Sequence, residues 1–317
     1  MKHNLSVLRQ ETHQPHPLQS DQRHQSQVAR ETGYVITGPS QPTVPFVFNS
    51  PHSGRHYTPS FLKQSRLSPL TLRKSEDVLV DQLFQFVPDL GAPLLAATFP
   101  RAFVDLNREP FELDPKLIND PLPESANHKS IRVAAGLGTI ARVVAHGVEI
   151  YQRPLTLKEA LRRIEQYYRP YHQQLAKMIG EQSTRFNGAI LIDCHSMPSR
   201  QNTPDGAPLA DIIIGDRYGT TADEDLVAFL SELLQDQGIS VAHNSPYAGG
   251  YITEHYGAPH KNIHALQIEI NRNIYMNEHT LEPHEGFINL SNQLHKTFKT
   301  FVSTVSDAFK PALSAAE

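Results

Sequence analysis

Ala189-Ile190-Leu191-Ile192-Asp193-Cys194-His195-Ser196 is the stretch on which the reading of the fold turns. Four apolar residues in an unbroken run are what a central parallel strand needs, because such a strand is covered on both faces. The run ends on an acid and an imidazole. In open α/β sheets ligands bind at the carboxyl ends of the strands, so polar groups there are candidates for chemistry. A second segment repeats the arrangement upstream. Pro45-Phe46-Val47-Phe48-Asn49 is apolar and runs into Ser50-Pro51-His52-Ser53-Gly54, where proline and glycine predict a tight turn. His52 and His195 therefore occupy the same topological place.

Working outward, Val35-Ile36-Thr37, residues 93–97, residues 102–106, residues 211–216, residues 239–242 and residues 265–270 read as further strands. Ser75 predicts the cap of a helix that turns Val78, Leu79, Leu83 and Phe84 inward. Between Leu157 and Ile179, Leu161, Ile164, Tyr168, Tyr171 and Leu175 recur at helical spacing, and Pro170 predicts a kink. Residues 222–234 and 287–309 read as further helices. Residues 116–150 read as loop, and Gly249-Gly250-Tyr251-Ile252-Thr253 as a turn. Strands alternating with helices predict an α/β fold, with a mixed, mostly parallel central sheet and helices on both faces. Residues 1–33, rich in Gln, His, Ser and Arg, predict a disordered arm that carries His3, His13, His16 and His24. Residues 34–317 are expected to form one catalytic domain.

Composition narrows the function. The 317 residues hold 29 basic and 33 acidic side chains, a net charge of −4, with no basic block that would track phosphates; a nucleic-acid partner is not expected. A single cysteine, Cys194, cannot form an internal disulfide. No apolar run reaches the roughly 18 residues of a membrane span, and the N-terminus lacks a secretory apolar core. The expected location is the cytoplasm, with a small molecule as partner and a homo-oligomer allowed.

Four polar clusters fall at strand ends: 49–54, 105–108, 193–196 and 269–272. Two histidines completed by a carboxylate form a common zinc set, and such a site keeps a position for water. Asp193 lies on the strand face of His195 and is a candidate to orient an imidazole. Glu76 and Asp77 are both candidates for the acidic ligand, although acids also favour a helix N-terminus without any metal. Glu269 interrupts an apolar strand. It is either a general base or the partner of Arg272 in an ion pair. Asn107 and Arg108 suit a substrate carboxylate, since arginine grips one with two parallel hydrogen bonds. His255, Arg142 and Arg272 are further candidate donors to a substrate or an oxyanion. There is no Gly-x-Ser-x-Gly elbow and no phosphate-binding Gly-Lys-Ser/Thr loop.

Taken together, these segments resemble the N-formylglutamate amidohydrolase family. The likeness rests on residues 50–54, Ser75-Glu76-Asp77 with Leu83-Phe84, residues 104–108, residues 193–196, residues 249–253 with His255-Tyr256-Gly257, and Gln267-Ile268-Glu269 with Tyr275-Met276. It implies a fold similar to the zinc carboxypeptidases (zinc-exopeptidase-like, or phosphorylase/hydrolase-like). It also implies one Zn²⁺, with Mn²⁺ or Co²⁺ as substitutes, held by His52, Asp77 and His195, with Glu269 as base and Asn107 and Arg108 on the substrate carboxylate. The carboxypeptidase pattern has a glutamate three residues after its first histidine; Arg55 stands there instead, so the resemblance moves the acidic ligand to Asp77. The implied reaction is hydrolysis of an acidic N-acyl amino acid, N-formyl-L-glutamate first. Another N-acyl amino acid deacylase or carboxypeptidase, and a non-catalytic metal-binding homologue, are the alternatives.

Overall fold

The computed structural model describes residues 33–144, 147–199 and 208–309. The arm expected at 1–33 lies outside the described residues, Gly33 excepted, and its four histidines with it.

β1 (Tyr34–Thr37) and β2 (Phe46–Ser50) open the chain. Three short helices follow, α1 (Pro59–Gln64), α2 (Pro69–Arg73) and α3 (Val80–Leu83), and then β3 (Leu94–Ala97). Thr58 and Ser68 cap α1 and α2, and a proline in each first turn removes an N–H that would have had no helical partner. Among the described residues, the long irregular stretch that follows contains α4 (Ile131–Ala134) and a small antiparallel pair, β4 (Val143–Val144) with β5 (Val148–Glu149). α5 (Leu157–Arg163) passes through a π-helical stretch, Ile164–Tyr168, into α6 (Arg169–Phe186). The irregularity expected of Pro170 takes this form, with the proline in the first turn of α6. β6 (Ala189–Met197), β7 (Ile212–Gly215), α7 (Glu224–Gln235), β8 (Val241–His243), α8 (Tyr251–Tyr256), β9 (Ile263–Asn271) and α9 (Gly286–Ala308) complete the main elements.

The main sheet has seven strands in the order β1-β3-β2-β6-β9-β7-β8. β3, β2, β6 and β9 are mutually parallel; β1 and β7 enter antiparallel to β3 and β9. The mixed, mostly parallel sheet expected from the strand–helix alternation is the one observed. Its two faces are both covered. Even-numbered Ile190, Ile192 and Cys194 of β6 join Phe46, Phe48, Leu266 and Ile268 in a core closed by α7 and α9. Phe298 and Phe301 of α9 meet Phe48 and Phe46 edge-on, at 5.3 and 5.7 Å between ring centroids. Odd-numbered Ala189 and Leu191 face Tyr171, Leu175 and Met178 of α6 in a second core. Each such side chain contributes about 1.5–3 kcal/mol on burial. Farther along the odd-numbered face the apolar residues give way to Asp193 and His195, and on β9 to Gln267 and Glu269.

Several local expectations are corrected. β6 does not end at Asp193 but continues to Met197, so His195 lies within the strand. Residues 102–106 are buried turns and not a strand, because their backbone is drawn to other elements: Asp105 N donates to Thr139 O, and Arg163 to Phe103 O. Ser75 caps no helix; its hydroxyl donates back to Leu72 O, and Leu79, at φ 64°, precedes α3 in the left-handed region. The expected turn at 249–253 is the start of α8.

Arg163 is fully buried and joins three segments. It contacts Glu159 (2.9 Å), the Tyr151 hydroxyl (2.7 Å) and Gln64 (2.8 Å), and its guanidinium lies 4.2 Å from the Phe103 ring centroid. Arg163→Ala should therefore cost about 3–5 kcal/mol, because it strands buried partners as well as removing a charge. A urea midpoint within error of the parent would count against this assignment.

His172 supplies a pH dependence. Its Nε2 lies 2.9 Å from Leu106 O and its Nδ1 2.9 Å from the Tyr256 hydroxyl. Burial, partly offset by the Leu106 carbonyl, pushes its pKa down to about 4. The unfolded ring titrates near 6.5. Between these values the unfolded chain binds the additional proton, so stability present above about pH 6.5 is lost as the pH falls toward 4. His172→Gln should flatten this part of the stability profile, read from unfolding midpoints between pH 4 and 7.

Candidate active site

β2 and β6 are adjacent parallel strands, with β3 on one side of the pair and β9 on the other, so the crevice at their carboxyl ends is a topological switch point. His52 stands two residues beyond β2 and His195 in the last turn-ward third of β6; their ring centroids are 4.8 Å apart. The turn after His52 needs Gly54, since a Cβ there would lie 2.0 Å from Phe99 O. Asp77 is held against the same turn by its own N–H, which donates to His52 O at 3.0 Å.

Carboxylates flank both rings. His52 Nε2 lies 2.7 Å from Asp105 Oδ1 and donates to it. His52 Nδ1 then keeps its lone pair, and it is buried with no hydrogen-bond partner among the described residues; Asp77 Oδ2 is 3.4 Å away. His195 presents Nδ1 at 2.9 Å from the same Asp77 oxygen and backs its Nε2 against Asp193 Oδ2 at 2.8 Å. Asp193 accepts from Asn49 Nδ2 at 2.6 Å, and Asn49 accepts from the buried Tyr171 hydroxyl. Two imidazoles thus turn Nδ1 toward one carboxylate, each with an acid behind it.

This donor set fits a single divalent ion. One ligand atom from each of His52, Asp77 and His195 lies within 4.8 Å of the others, and all three side chains are buried. Metal–ligand bonds of about 2.0–2.2 Å in a tetrahedron set ligand atoms about 3.3–3.6 Å apart; Asp77 Oδ2 stands 3.4 Å from His52 Nδ1 and 2.9 Å from His195 Nδ1. A lone pair buried without a partner, directed at a carboxylate, is what a metal site leaves behind. Glu76, the other candidate ligand, is not aimed there: it accepts from the Tyr57 hydroxyl at 2.7 Å and pairs with Arg73 at 3.2 Å. The electrostatics agree. Burial opposes charge on Asp77, but His195, His52 and Arg101 hold its pKa well below the carboxylate range. Burial likewise opposes a proton on His195, yet Asp193 and Asp77 raise its pKa well above that of a free imidazole.

These groups open on a cleft of about 650 Å³, also lined by Arg101, Arg108, Arg132, Gln267, Glu269 and Arg272. A larger groove of about 800 Å³ lies beside β1 and β3. Its titratable lining is His56 and the partly exposed Arg55–Asp81 pair, so size does not select the site. Glu269 pairs in register with His195 across β6 and β9, so both side chains leave the sheet on the same side. Its carboxylate accepts from Gln267 Nε2 at 2.9 Å. Burial and then the nearby Asp77 charge push its pKa up to about 7, against His195, Arg101 and Arg272.

The other residues singled out from the sequence fare differently. Arg272 lines the cleft, but its guanidinium is spent on Asp77 Oδ1 (3.2 Å), Glu76 O and Ser196; its ion pair is with Asp77 and not with Glu269. Asn107 is a bracket. Its Oδ1 accepts from Ile252 N at 2.8 Å, its Nδ2 lies 3.4 Å from Gln267 Oε1 and from His195 Nε2, and a Cβ on Gly250 would strike it at 2.3 Å. Arg108 donates to Leu137 O and Asn107 O, leaving one amino group 3.8 Å from Asp105. Arg142 does not join them; it pairs with Asp114 at 2.8 Å and Glu149 at 3.4 Å. His255 is exposed on α8 and stacks on Tyr251. Arg101 was not singled out from the sequence. It sits 2.8 Å from Asp105 and 3.7 Å from Asp77, and its only sequence signal is the four-residue spacing to Asp105.

A buried imidazole pair with a carboxylate, beside a second buried carboxylate of raised pKa, is a layout suited to metal-assisted hydrolysis. The chain belongs to the N-formylglutamate amidohydrolase family, whose model matches residues 44–276. It is 28% identical over 238 residues to an N-formylglutamate deformylase of Pseudomonas aeruginosa, covering 74% of this chain and 83% of that one. It is 29% identical over 245 residues to an N-formylglutamate deformylase of Pseudomonas putida, covering 75% and 84%. Among solved structures, an N-formylglutamate amidohydrolase from Ralstonia eutropha superposes with a TM-score of 0.80 at 36% identity, covering 88% of this chain and 98% of that one.

The orientation of His52 generates a test. Asp105→Asn weakens the acceptor of the Nε2 proton without touching a ligand atom. Affinity for a divalent ion should fall on the order of 10–100-fold, measured by competition with a chromogenic chelator. Unchanged affinity would sink the orienting role.

Proposed function

We propose that this chain hydrolyses the formamide bond of N-formyl-L-glutamate, giving formate and L-glutamate, with a divalent metal ion held by His52 Nδ1, Asp77 and His195 Nδ1. Zinc is preferred over manganese or cobalt for two imidazoles and a carboxylate. When bound, the ion supplies Lewis acidity toward an amide carbonyl and toward water. The remaining work falls to this chain's own side chains.

Glu269 is the base. Its carboxylate takes a proton from the attacking water as the oxygen bonds to the formyl carbon, and it returns that proton to the amine nitrogen as the carbon–nitrogen bond breaks. A carboxyl whose pKa stands near 7 serves both directions at neutral pH. Asp105 and Asp193 keep the two imidazoles oriented, and Arg272 holds Asp77 in place. Arg101 presents positive charge to the side of the cleft where negative charge develops on the carbonyl oxygen. Arg108 supplies an amino group for a carboxylate of the substrate, while Asn107 frames the wall beside it.

The observation that carries this reading is the register of β6 and β9, which sets Glu269 beside His195 on one face, with the cleft above them. The curated relatives named N-formylglutamate deformylase support the choice of acyl group and amino acid. Glu269→Gln should retain the metal, by elemental analysis, and lose roughly 10²–10⁴-fold in formate release. Retained turnover removes Glu269 from the mechanism. Parallel assays on N-acetyl- and N-succinyl-L-glutamate check the acyl group; N-acetyl turnover equal to N-formyl turnover would transfer the chain to a broader N-acyl amino acid deacylase role.

A further inference from the structure

The cleft cations can be accounted for one at a time. Arg101 is ion-paired with Asp105 and Asp77, and Arg272 with Asp77. Arg108 gives two donors to backbone carbonyls and keeps one amino group near Asp105. Arg132 lines the same cleft, and among the described residues no carboxylate comes within ion-pair distance of it. Glu112 feels its charge only at longer range. An unpaired guanidinium on the wall of a water-accessible cleft is a ready anion partner, because its fork matches a carboxylate with two parallel hydrogen bonds.

The backbone under Arg132 is fixed rather than floppy. Ser130 caps α4 by accepting from Val133 N at 3.1 Å, and Leu137 N closes on Arg132 O at 2.8 Å. Leu137 O in turn accepts from Arg108 Nε at 2.9 Å, so the two arginines share a mount. Gly138 presses on the Glu112 carbonyl, where a Cβ would lie 2.2 Å away, and the next residue, Thr139, accepts from Asp105 N at 2.8 Å. The loop carrying Arg132 is therefore tied to both Arg108 and the acid that orients His52. Burial chiefly lowers the pKa of Arg108, against Asp105, and the like charges of Arg101 and then Arg132 add to it, so an anion beside these guanidinium groups is favoured.

We infer that Arg132 is the specificity-determining residue for a second substrate carboxylate: Arg108 takes the α-carboxylate and Arg132 the side-chain carboxylate of a dicarboxylic N-acyl amino acid. The inference rests on the hydrolytic reading above and adds to it the reason a glutamyl side chain is selected. The rival cation is Lys74, an exposed residue on the cleft lining whose carbonyl accepts from Arg272.

The test compares N-formyl-L-glutamate with its neutral isostere N-formyl-L-glutamine. Arg132→Gln should lose on the order of 10–100-fold in kcat/KM on the glutamate substrate, the range for a hydrogen-bonded charge, chiefly through KM. On the glutamine substrate it should match the parent. Arg132→Lys should recover part of the glutamate preference. Equal loss on both substrates, no loss on either, or a larger selective loss in Lys74→Gln overturns the assignment. Calorimetric binding of L-glutamate against L-glutamine, to the purified parent and Arg132→Gln proteins, separates this from the hydrolytic reading. A parent that hydrolyses none of the formyl substrates fails that reading. Arg132 is then still supported by a glutamate preference that vanishes in the variant, and refuted by its absence or persistence.

Discussion

Four carboxylates, Asp77, Asp105, Asp193 and Glu269, are buried around two imidazoles at the edge of the main sheet. Ionised groups taken out of water are costly unless each finds a compensating partner, and this requirement governs the architecture of the whole carboxyl edge. Asp105 is matched by His52 and Arg101, Asp193 by His195 and Asn49, and Asp77 by both imidazoles and Arg272. Glu269 lacks such close cationic contact, and burial with the nearby Asp77 charge pushes its carboxyl up to about 7. The same rule that holds Asp77 and Asp105 as charges leaves Glu269 able to exchange a proton.

The sheet supplies the geometry for this arrangement through parity. Along β6 and β9, even-numbered residues serve one core and odd-numbered residues the other, so Asp193, His195, Gln267 and Glu269 leave the sheet together. A slip of one residue between these strands would bury the polar set in the mostly apolar core under α7 and α9. Fold stability and site assembly thus depend on a single pairing register.

What could be read from the sequence follows from the same division. His52, His195 and Glu269 were legible because each interrupts or ends an apolar strand, a signal local to a few residues. Asp77 was legible only through its family resemblance, since an acid before a helix has an ordinary explanation. The fold class was legible from strand–helix alternation, and most strands were located to within a residue or two. Residues 102–106 were not: the alternation in Ala102-Phe103-Val104-Asp105-Leu106 imitates a strand, and only contacts from Arg163 and Thr139 bend it into turns. The start of α8 was hidden for a similar reason. Gly250 offers no capping side chain, and the cap comes from Asn107, 145 positions earlier, which accepts from Ile252 N. Arg101 and Arg132 sit on loops whose course is set by distant partners, and nothing in their neighbours marks them.

The bracket made by Asn107, Gly250 and Gln267 has a consequence for how the protein comes into being. Asn107 is far from the other two along the chain, and the three are together only once β9, which carries Gln267, has inserted beside β6. During synthesis β9 emerges after every other strand of the main sheet. A nascent chain therefore carries both histidines and the three aspartates before Gln267 and Glu269 have been made. The proton-exchanging carboxylate is thus the last of the buried acids to reach the cleft, and it arrives only by pairing in register beside His195.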